Sequence, residues 1–206
     1  DVYKRQTVVE YRVVATMAGG AMLRFPDNQA DRYYEYYVGP LTPVYCTDFE
    51  TDPFAAGWTH GAVSASDDWQ WGAANGNSSN GDPLTAASGT YIVGQDLRAN
   101  GLYPRNAIET LSSPTIDVNG YTGVRLQFKR WLTVEDGFFD EAIVKADGVE
   151  LWRNFASEDE NGSTHALDRE WREIDIDLGA AGSVASAAAA GSVASAGDGA
   201  GGGALG

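Results

Sequence analysis

The sequence is short of the residues that build most catalytic and metal centres. Its 206 residues include one cysteine and two histidines. One cysteine excludes an internal disulfide and a cysteine-rich zinc site. His60 and His165 stand far apart and belong to no His-Glu-x-x-His pattern, so we interpret both as surface or turn residues. A Gly-x-Ser-x-Gly elbow and a Gly-rich phosphate loop are also missing from the sequence.

Basic residues and long apolar runs are scarce as well. The chain has 14 Lys and Arg against 29 Asp and Glu, which gives a formal net charge of −15. Such a chain repels phosphate backbones and anionic membrane surfaces, so nucleic-acid binding is disfavoured. No run of about 18 apolar residues occurs, so we predict no membrane insertion through a transmembrane helix.

What the sequence does contain favours short strands joined by tight turns. It has 25 glycines, 6 tryptophans and 10 tyrosines. Residues 124–129 and 173–178 each alternate apolar and polar side chains, as half-buried strands do. Asp147-Gly148 between two apolar segments predicts a two-residue hairpin turn. We therefore predict an all-β, antiparallel two-sheet sandwich or jelly roll over residues 44–178.

Neither end of the chain has the character of this central region. Codons for residues 1–6 can spell GATGTGTATAAGAGACAG, a transposase adaptor used to make sequencing libraries, so we interpret them as translated adaptor. Residues 7–39 hold two apolar runs but are too short for an independent sandwich. We interpret them as the C-terminal strands of a truncated Ig-like or fibronectin-type-III-like domain, followed by a proline-containing linker.

Residues 179–206 consist almost entirely of Ala, Gly, Ser and Val, and the hexapeptide GSVASA occurs in them twice. Such a segment has too little bulky apolar surface to offset the entropy lost on ordering, so we predict a disordered low-complexity tail. A flexible linker and a frameshift product both fit this composition. Outside residues 1–6 the only lysines are Lys129 and Lys145, and the preference for arginine is typical of a GC-rich bacterial genome.

Several short motifs follow one another in a recognisable order. They are CTDFE at 46–50, GW at 57–58, DDWQWG at 67–72, GDP at 81–83, SGTY at 88–91, LSSP at 111–114, DEA at 140–142 and LW at 151–152. In this order they resemble the MAM domain and its bacterial relatives. Those relatives include cleaved-adhesin-type modules and the jelly-roll module beside immune-inhibitor-A-type secreted metallopeptidases. The resemblance covers roughly residues 46–178.

The resemblance implies a two-sheet jelly roll in an extracellular or cell-surface protein, with an adhesive or substrate-positioning role and no chemistry of its own. Its partners would be protein or glycan ligands, or an upstream catalytic domain. In animal MAM domains the cysteine before the DFE-like motif pairs with one before Gly-Trp. Here Ala56 takes the second position, so Cys46 has no such partner, as in many bacterial relatives.

Paired acidic residues suggest a structural calcium site. We predict that Asp48 and Glu50 lie on one face of a strand, with Phe49 on the other. Two neighbouring carboxylates repel each other unless a cation lies between them, and Ca²⁺ takes six to eight oxygen ligands. A loop carboxylate such as Asp82 would complete the set, and Asp52 is a weaker candidate. The alternative is an exposed acidic face without a metal.

A second acidic group, Glu135, Asp136, Asp140 and Glu141, surrounds a predicted turn. We interpret it as a solvated acidic turn. Two alternatives remain open, a further cation site and a glycosidase-like carboxylate pair, which would make the chain a hydrolase fragment.

The tryptophans allow two interpretations, core packing and sugar stacking. We predict that Trp58 and Trp69 belong to the core. Trp131 follows three outward-facing polar residues of its strand, so it marks a bulge or an exposed aromatic, and it is our candidate ligand contact. The leading hypothesis is a non-catalytic extracellular module of a larger bacterial protein. The alternative is a carbohydrate-binding module that uses exposed aromatics.

Overall fold

The structure, a computed structural model, describes residues 7–64, 66–76, 80–158, 162–181, 190–195 and 203–205. Within these ranges the chain forms fifteen β-strands and one short 3-10 helix, Leu178–Ala181. The adaptor interpretation of residues 1–6 lies outside the described residues.

The strands are short, as the glycine-rich sequence predicts. In chain order they are β1 (Thr7–Tyr11), β2 (Val13–Thr16), β3 (Met22–Phe25), β4 (Tyr34–Val38), β5 (Thr59–Ser64), β6 (Trp69–Ala73), β7 (Tyr91–Gln95), β8 (Ile108–Ser112), β9 (Arg125–Val134), β10 (Asp140–Ala146), β11 (Val149–Arg153), β12 (Ala166–Leu167), β13 (Arg172–Asp177), β14 (Ala190–Ser195) and β15 (Gly203–Leu205).

Two antiparallel sheets form the main body. One has the order β11-β10-β14-β8-β5, and the other has the order β12-β9-β15-β7-β6, with β13 also paired to β9. Phe49, Trp58, Trp69, Val93 and Leu111 form one buried cluster that joins the two sheets. The all-β prediction with two packed antiparallel sheets is confirmed, and so is the prediction that Trp58 and Trp69 belong to the core.

The alternating segments form the predicted half-buried strands. β13 pairs with β9 from Arg125↔Asp177 to Arg130↔Arg172. Ile174, Ile176 and Leu178 turn inward and pack on the β10–β11 hairpin. The hairpin turn is as predicted, since Asp147 and Gly148 both have positive φ, 47° and 79°.

The N-terminal region forms two small ladders beside the main sheets. β1 pairs with β4, and β2 pairs with β3. The ladders leave many apolar side chains exposed; Val13 and Met22, for example, are 50% and 52% exposed. The interpretation of residues 7–39 as part of a truncated domain stays a prediction.

Two segments of the alanine- and glycine-rich C-terminal region are strands, so the expectation of disorder is wrong for them. β14 lies between β10 and β8, and β15 lies between β9 and β7. Here the main chain of each segment pairs with two neighbouring strands that would otherwise present unpaired edges. Such pairing needs no bulky side chain.

Candidate functional site

The most completely built polar site is a buried cluster centred on Asp168, in the break between β12 and β13. Asp168 is fully buried. Its carboxylate accepts hydrogen bonds from Arg130 Nε at 3.0 Å, Asn28 Nδ2 at 2.8 Å and the Leu132 amide at 2.8 Å. Arg172 Nη1 lies 3.8 Å from it.

Asp31 brings a second negative charge to the same two arginines. Arg130 Nη2 donates to Asp31 Oδ2 at 2.6 Å, and Arg172 Nη2 donates to Asp31 Oδ1 at 3.3 Å. Burial disfavours the charged form of Arg130, but the charges of Asp168 and Asp31 outweigh it and raise the pKa of Arg130. We call Asn28, Asp31, Arg130, Asp168 and Arg172 the ion cluster. The two positive charges of its arginines equal the two negative charges of its aspartates.

The ion cluster attaches the N-terminal region to the main sheets. Arg172 Nη2 donates to the Tyr33 carbonyl, and its guanidinium lies 5.0 Å from the centre of the Tyr34 ring. The Tyr34 hydroxyl donates to Glu170. Burial and this hydrogen bond raise the pKa of Tyr34 to about 12. These contacts join residues more than 130 positions apart, so no local sequence pattern reveals them.

Asp136, one of the four predicted acidic-turn residues, holds loops together. It is fully buried and accepts the amides of Phe138 at 3.0 Å, Ser157 at 2.7 Å and Thr164 at 2.9 Å. Burial acts to raise its pKa, but the hydrogen bonds, that from the Ser157 hydroxyl foremost, outweigh burial and lower the pKa of Asp136. The prediction of a solvated turn is wrong for this residue.

Asp140 and Glu141 point to opposite sides of β10. Asp140 is fully buried and accepts the Tyr103 hydroxyl at 2.5 Å, whereas Glu141 pairs with Arg153 at the surface. Burial and the bond to Asp140 raise the pKa of Tyr103. The Glu135 carbonyl accepts Asn154 Nδ2 at 3.1 Å. These separate contacts give the hydrolase interpretation no support.

The segment with Asp48 and Glu50 is a turn, so the prediction of a strand there is wrong. Phe49 has φ 58° and is buried, so the chain bends between the two acids instead of continuing as an extended strand. Asp48 Oδ1 accepts the Glu50 amide at 3.0 Å. Glu50 Oε1 accepts the amides of Thr90 and Tyr91 at 2.7 and 2.9 Å.

The calcium set is not gathered into one group. Among the residues that the structure describes, no three His, Cys, Asp or Glu side chains stand together in a metal-binding arrangement. Asp52 Oδ1 accepts the Phe54 amide at 2.9 Å within its own turn. Asp82 follows Gly81, whose carbonyl accepts a hydrogen bond from Trp131. Calcium binding by Asp48, Glu50 and Asp82 stays a prediction.

Trp131 is half-buried and fixes a loop. Its Nε1 donates to the Gly81 carbonyl at 2.9 Å, and its ring meets Trp171 edge to face at 5.8 Å. Trp171 Nε1 donates to the Thr85 carbonyl at 2.8 Å. On one edge of β9 the pairing continues through Trp131, which lies opposite Ala204 of β15. On the other edge it is interrupted between Arg130 and Thr133, where β13 gives way to β12 two residues out of register. The role of Trp131 as a ligand contact stays a prediction.

Both histidines have structural partners. His60 Nδ1 lies 2.8 Å from Asp67 Oδ2 at the surface. His165 Nδ1 accepts the Asp136 amide at 3.1 Å. Cys46 is exposed and forms no disulfide.

Glu109 is a buried acid that sequence analysis overlooked. It is fully buried on β8, where Oε1 accepts the Asp68 amide at 2.6 Å and Oε2 accepts Gln95 Nε2 from the opposite sheet. Burial raises the pKa of Glu109, and these two hydrogen bonds offset only part of that effect. Glu109 lies two residues before Leu111, which is also fully buried, so strand alternation places both on the inward face of β8.

A cleft of about 720 Å³ opens between the sheets. Its walls are residues 123–132 of the β9 region, residues 142–146 of β10 and residues 40–49. Leu41, Val44 and Tyr45 line it and remain 48%, 40% and 40% exposed. The cleft therefore combines apolar walls with access to solvent.

The described chain is an all-β module of two packed sheets to which an ion cluster attaches the N-terminal ladders. No helix in the described ranges is long and apolar enough to cross a membrane. No family model matches the chain. It is similar to Bacillopeptidase F of Bacillus subtilis (strain 168), with 33% identity over 149 residues. That match covers 71% of this chain but 9% of Bacillopeptidase F, so the chain spans a small part of its relative.

Among solved structures, the chain is similar to the K1 cleaved adhesin domain of Lys-gingipain (Kgp) from Porphyromonas gingivalis W83. The sequence identity is 15% and the TM-score is 0.42. The similarity covers 73% of this chain and 87% of that domain.

Proposed function

We propose that the chain is a non-catalytic extracellular β-sandwich module of a larger bacterial secreted or surface protein, and that it binds polypeptides for an attached peptidase. The observation that carries the proposal is the 33% identity to a segment that makes up 9% of Bacillopeptidase F, a peptidase by name. Because the match covers only 9% of that protein, we infer that the segment is an accessory part of it. Family membership among the MAM-like and cleaved-adhesin-like modules is part of the same proposal.

The side chains of this chain support a binding role. His165, Asp136 and Asp140, which sequence analysis considered for chemistry, hold neighbouring loops and strands. The ion cluster fixes the N-terminal ladders on the main sheets, which suits a module that must present a ligand in a set orientation. The cleft offers an apolar surface of the kind that binds partners.

The test is direct binding of the purified chain to unfolded and folded proteins. We expect saturable binding to immobilised casein or gelatin, and no cleavage of either protein during overnight incubation. Absence of binding to every protein tested would contradict the proposal. Cleavage that disappears in Glu135→Gln or Glu141→Gln would instead establish a hydrolase. Binding to polysaccharides that disappears in Trp131→Ala would establish the carbohydrate-binding alternative.

A further inference from the structure

Asparagine followed by glycine is a chemically reactive pair, and the chain contains five such pairs. They are Asn75-Gly76, Asn80-Gly81, Asn100-Gly101, Asn119-Gly120 and Asn161-Gly162. The glycine nitrogen can attack the side-chain carbonyl carbon of the asparagine, because glycine has no side chain to obstruct the approach. Asn161 lies outside the described residues. The other four pairs differ in how firmly hydrogen bonds hold the reacting groups.

Asn75-Gly76 is held at both reacting groups. The Gly76 N–H donates to the Pro83 carbonyl at 3.0 Å. Asn75 Nδ2 donates to the Leu97 carbonyl at 2.6 Å. A side chain added at Gly76 would collide with Leu84, so little space surrounds the pair. Reaction at Asn75 therefore requires two hydrogen bonds to break in a crowded loop.

Asn100-Gly101 is held mainly at the attacking nitrogen. Asp96 Oδ2 accepts the Gly101 N–H at 3.1 Å. Asn100 is exposed, but its Oδ1 accepts the Leu102 amide at 3.0 Å, which fixes the side chain. The nitrogen that would attack is therefore bonded to a carboxylate, and the carbon that it would attack is oriented by a second bond.

Asn80-Gly81 is fixed through its main chain. The Asn80 carbonyl accepts Arg169 Nη1 at 2.9 Å. The Gly81 carbonyl accepts Trp131 Nε1 at 2.9 Å. Closing a ring between the side chain and the next nitrogen requires the main chain of the pair to rotate. Both hydrogen bonds oppose that rotation.

Asn119-Gly120 has none of these restraints. Both residues are exposed, in a turn closed by a hydrogen bond from the Tyr121 amide to the Val118 carbonyl at 3.2 Å. In the described structure the Asn119 amide donates to Asp117, but no hydrogen bond holds the Asn119 side chain or the Gly120 N–H. A side chain added at Gly120 would meet no atom within 4 Å. The two reacting groups are therefore free to approach each other.

We propose that Asn119 is a site of spontaneous covalent modification, where asparagine converts to aspartate and isoaspartate. The Gly120 nitrogen loses its proton to solvent base and bonds to Cγ of Asn119, while Nδ2 takes up a proton and leaves as ammonia. Water then opens the resulting succinimide ring. Opening at Cγ gives aspartate, and opening at the main-chain carbonyl gives isoaspartate. The site does not rest on the proposed binding function.

The modification changes both the charge and the path of this turn. Each conversion adds a negative charge to a chain whose formal net charge is −15. Isoaspartate also lengthens the main chain between Val118 and Tyr121, since the chain then runs through the side-chain carbons. Val118 is buried in the core beside Ile174 and Ile176, so one end of the altered turn is anchored in the interior.

The experiment incubates the purified full chain at mildly alkaline pH and follows the Asn-Gly pairs by peptide mass spectrometry. We expect product to accumulate at Asn119 about tenfold or more faster than at Asn75 and Asn100, since reaction at those pairs must first break a hydrogen bond at the attacking nitrogen. In denaturing urea the three rates should be similar, because the folded structure causes the difference.

Two variants test the restraint and the site. Asp96→Gly removes the carboxylate that holds the Gly101 N–H, and glycine readily retains the φ of 50° at that position. We expect it to raise the rate at Asn100 toward the rate at Asn119. Asn119→Gln would need a larger ring to react, so it should remove the acidic species that isoelectric focusing detects in aged wild-type chain.

Three outcomes would overturn the inference. They are a rate at Asn119 no greater than that at Asn75, Asn80 or Asn100 in the folded chain, an acidic species that persists in Asn119→Gln, and the same order of rates with the same ratio in urea. The wild-type rates decide the matter even if Asp96→Gly misfolds.

Discussion

The ion cluster and the cleft both contain buried polar groups and share Arg130, but buried charges are paired with opposite charges in the ion cluster and not beside the cleft. In the ion cluster each arginine meets an aspartate, and Asp168 accepts hydrogen bonds from Arg130, Asn28 and the Leu132 amide. Beside the cleft, Glu109 meets neutral donors only, and Gln95 keeps an oxygen without a partner in the described structure.

Paired and unpaired buried charges have opposite effects on the stability of the fold. A charge cluster with matched partners rigidifies a structure, and breaking it leaves uncompensated charge. A buried carboxylate without a cationic partner costs stability, because burial disfavours its charged form. The ion cluster therefore holds the module together, whereas Glu109 beside the cleft lowers its stability at neutral pH.

The largest effect is expected from ending the chain after Ala181. This removes β14 from between β10 and β8, and β15 from between β9 and β7. Each sheet is then divided in two, and the ion cluster does not replace the lost main-chain pairing. We expect the truncated chain to lose its cooperative unfolding transition, measured by circular dichroism in urea.

The full-length control for this truncation is the double variant Val193→Pro and Ala204→Pro. Proline cannot donate to a central ladder, so it disrupts both strands without shortening the chain. It should destabilise the chain in the same direction as the truncation. A truncated chain that unfolds with the midpoint of the full chain would show that β14 and β15 do not contribute to stability.

The second-largest effect is expected from Asp168→Asn in the ion cluster. The change leaves two buried arginines facing Asp31 alone, and breaking a buried ion pair costs about 3–5 kcal/mol. The free energy of unfolding from urea titration measures it. Glu173→Gln removes an exposed pair with Lys129 and should cost less than about 1 kcal/mol. Equal costs for the two variants would mean that the buried charges are not coupled as described.

Local sequence patterns predicted the strands in which apolar and polar side chains alternate. The alternation in β9 and β13 and the Asp147-Gly148 turn follow from the two-residue period of a strand and from positive φ at the turn. The same alternation misled at Asp48 and Glu50, because Phe49 adopts a left-handed conformation that no period reveals. Asp48 and Glu50 were predicted on a strand, whereas the structure has a bend there.

Other features depend on contacts that are distant in sequence. Asn28 and Asp168 are 140 residues apart, and no local pattern pairs them. A carboxylate partner for Arg130 could have been predicted. Arg130 lies on the inward face of β9 with Leu132, and its buried positive charge needs a negative charge nearby. β14 escaped prediction since its sequence contains little apolar surface, and its position depends on the two edges that it joins.

Unlike the preceding variants, Glu109→Gln beside the cleft is expected to raise the free energy of unfolding. Burial holds the pKa of Glu109 above its ordinary value of 4.5. Below pH 4.5 the side chain is protonated in both states, and its contribution to the free energy of unfolding is fully present. That contribution is lost as pH rises through the pKa of Glu109 in the folded state. The variant should therefore exceed the wild type in stability at neutral pH.

The pH profile sharpens this prediction. Between the ordinary and the folded pKa, the advantage of Glu109→Gln should grow by up to about 1.4 kcal/mol per pH unit, the slope for one proton. The difference between variant and wild type is the quantity to measure, because Asp136, with its lowered pKa, contributes in the opposite direction on acidification. A difference that does not change with pH would contradict a raised pKa.

The smallest effect is expected from calcium at Asp48 and Glu50. One oxygen of each carboxylate already accepts main-chain amides, so a cation would compete only for the remaining oxygens and add little. We expect Ca²⁺ at about five times its Kd to raise the free energy of unfolding by about 1 kcal/mol. Asp48→Asn with Glu50→Gln should remove that increase, while Glu173→Gln should retain it. If Ca²⁺ leaves the melting temperature of the wild type unchanged, these carboxylates shape the turn around Phe49 and bind no metal.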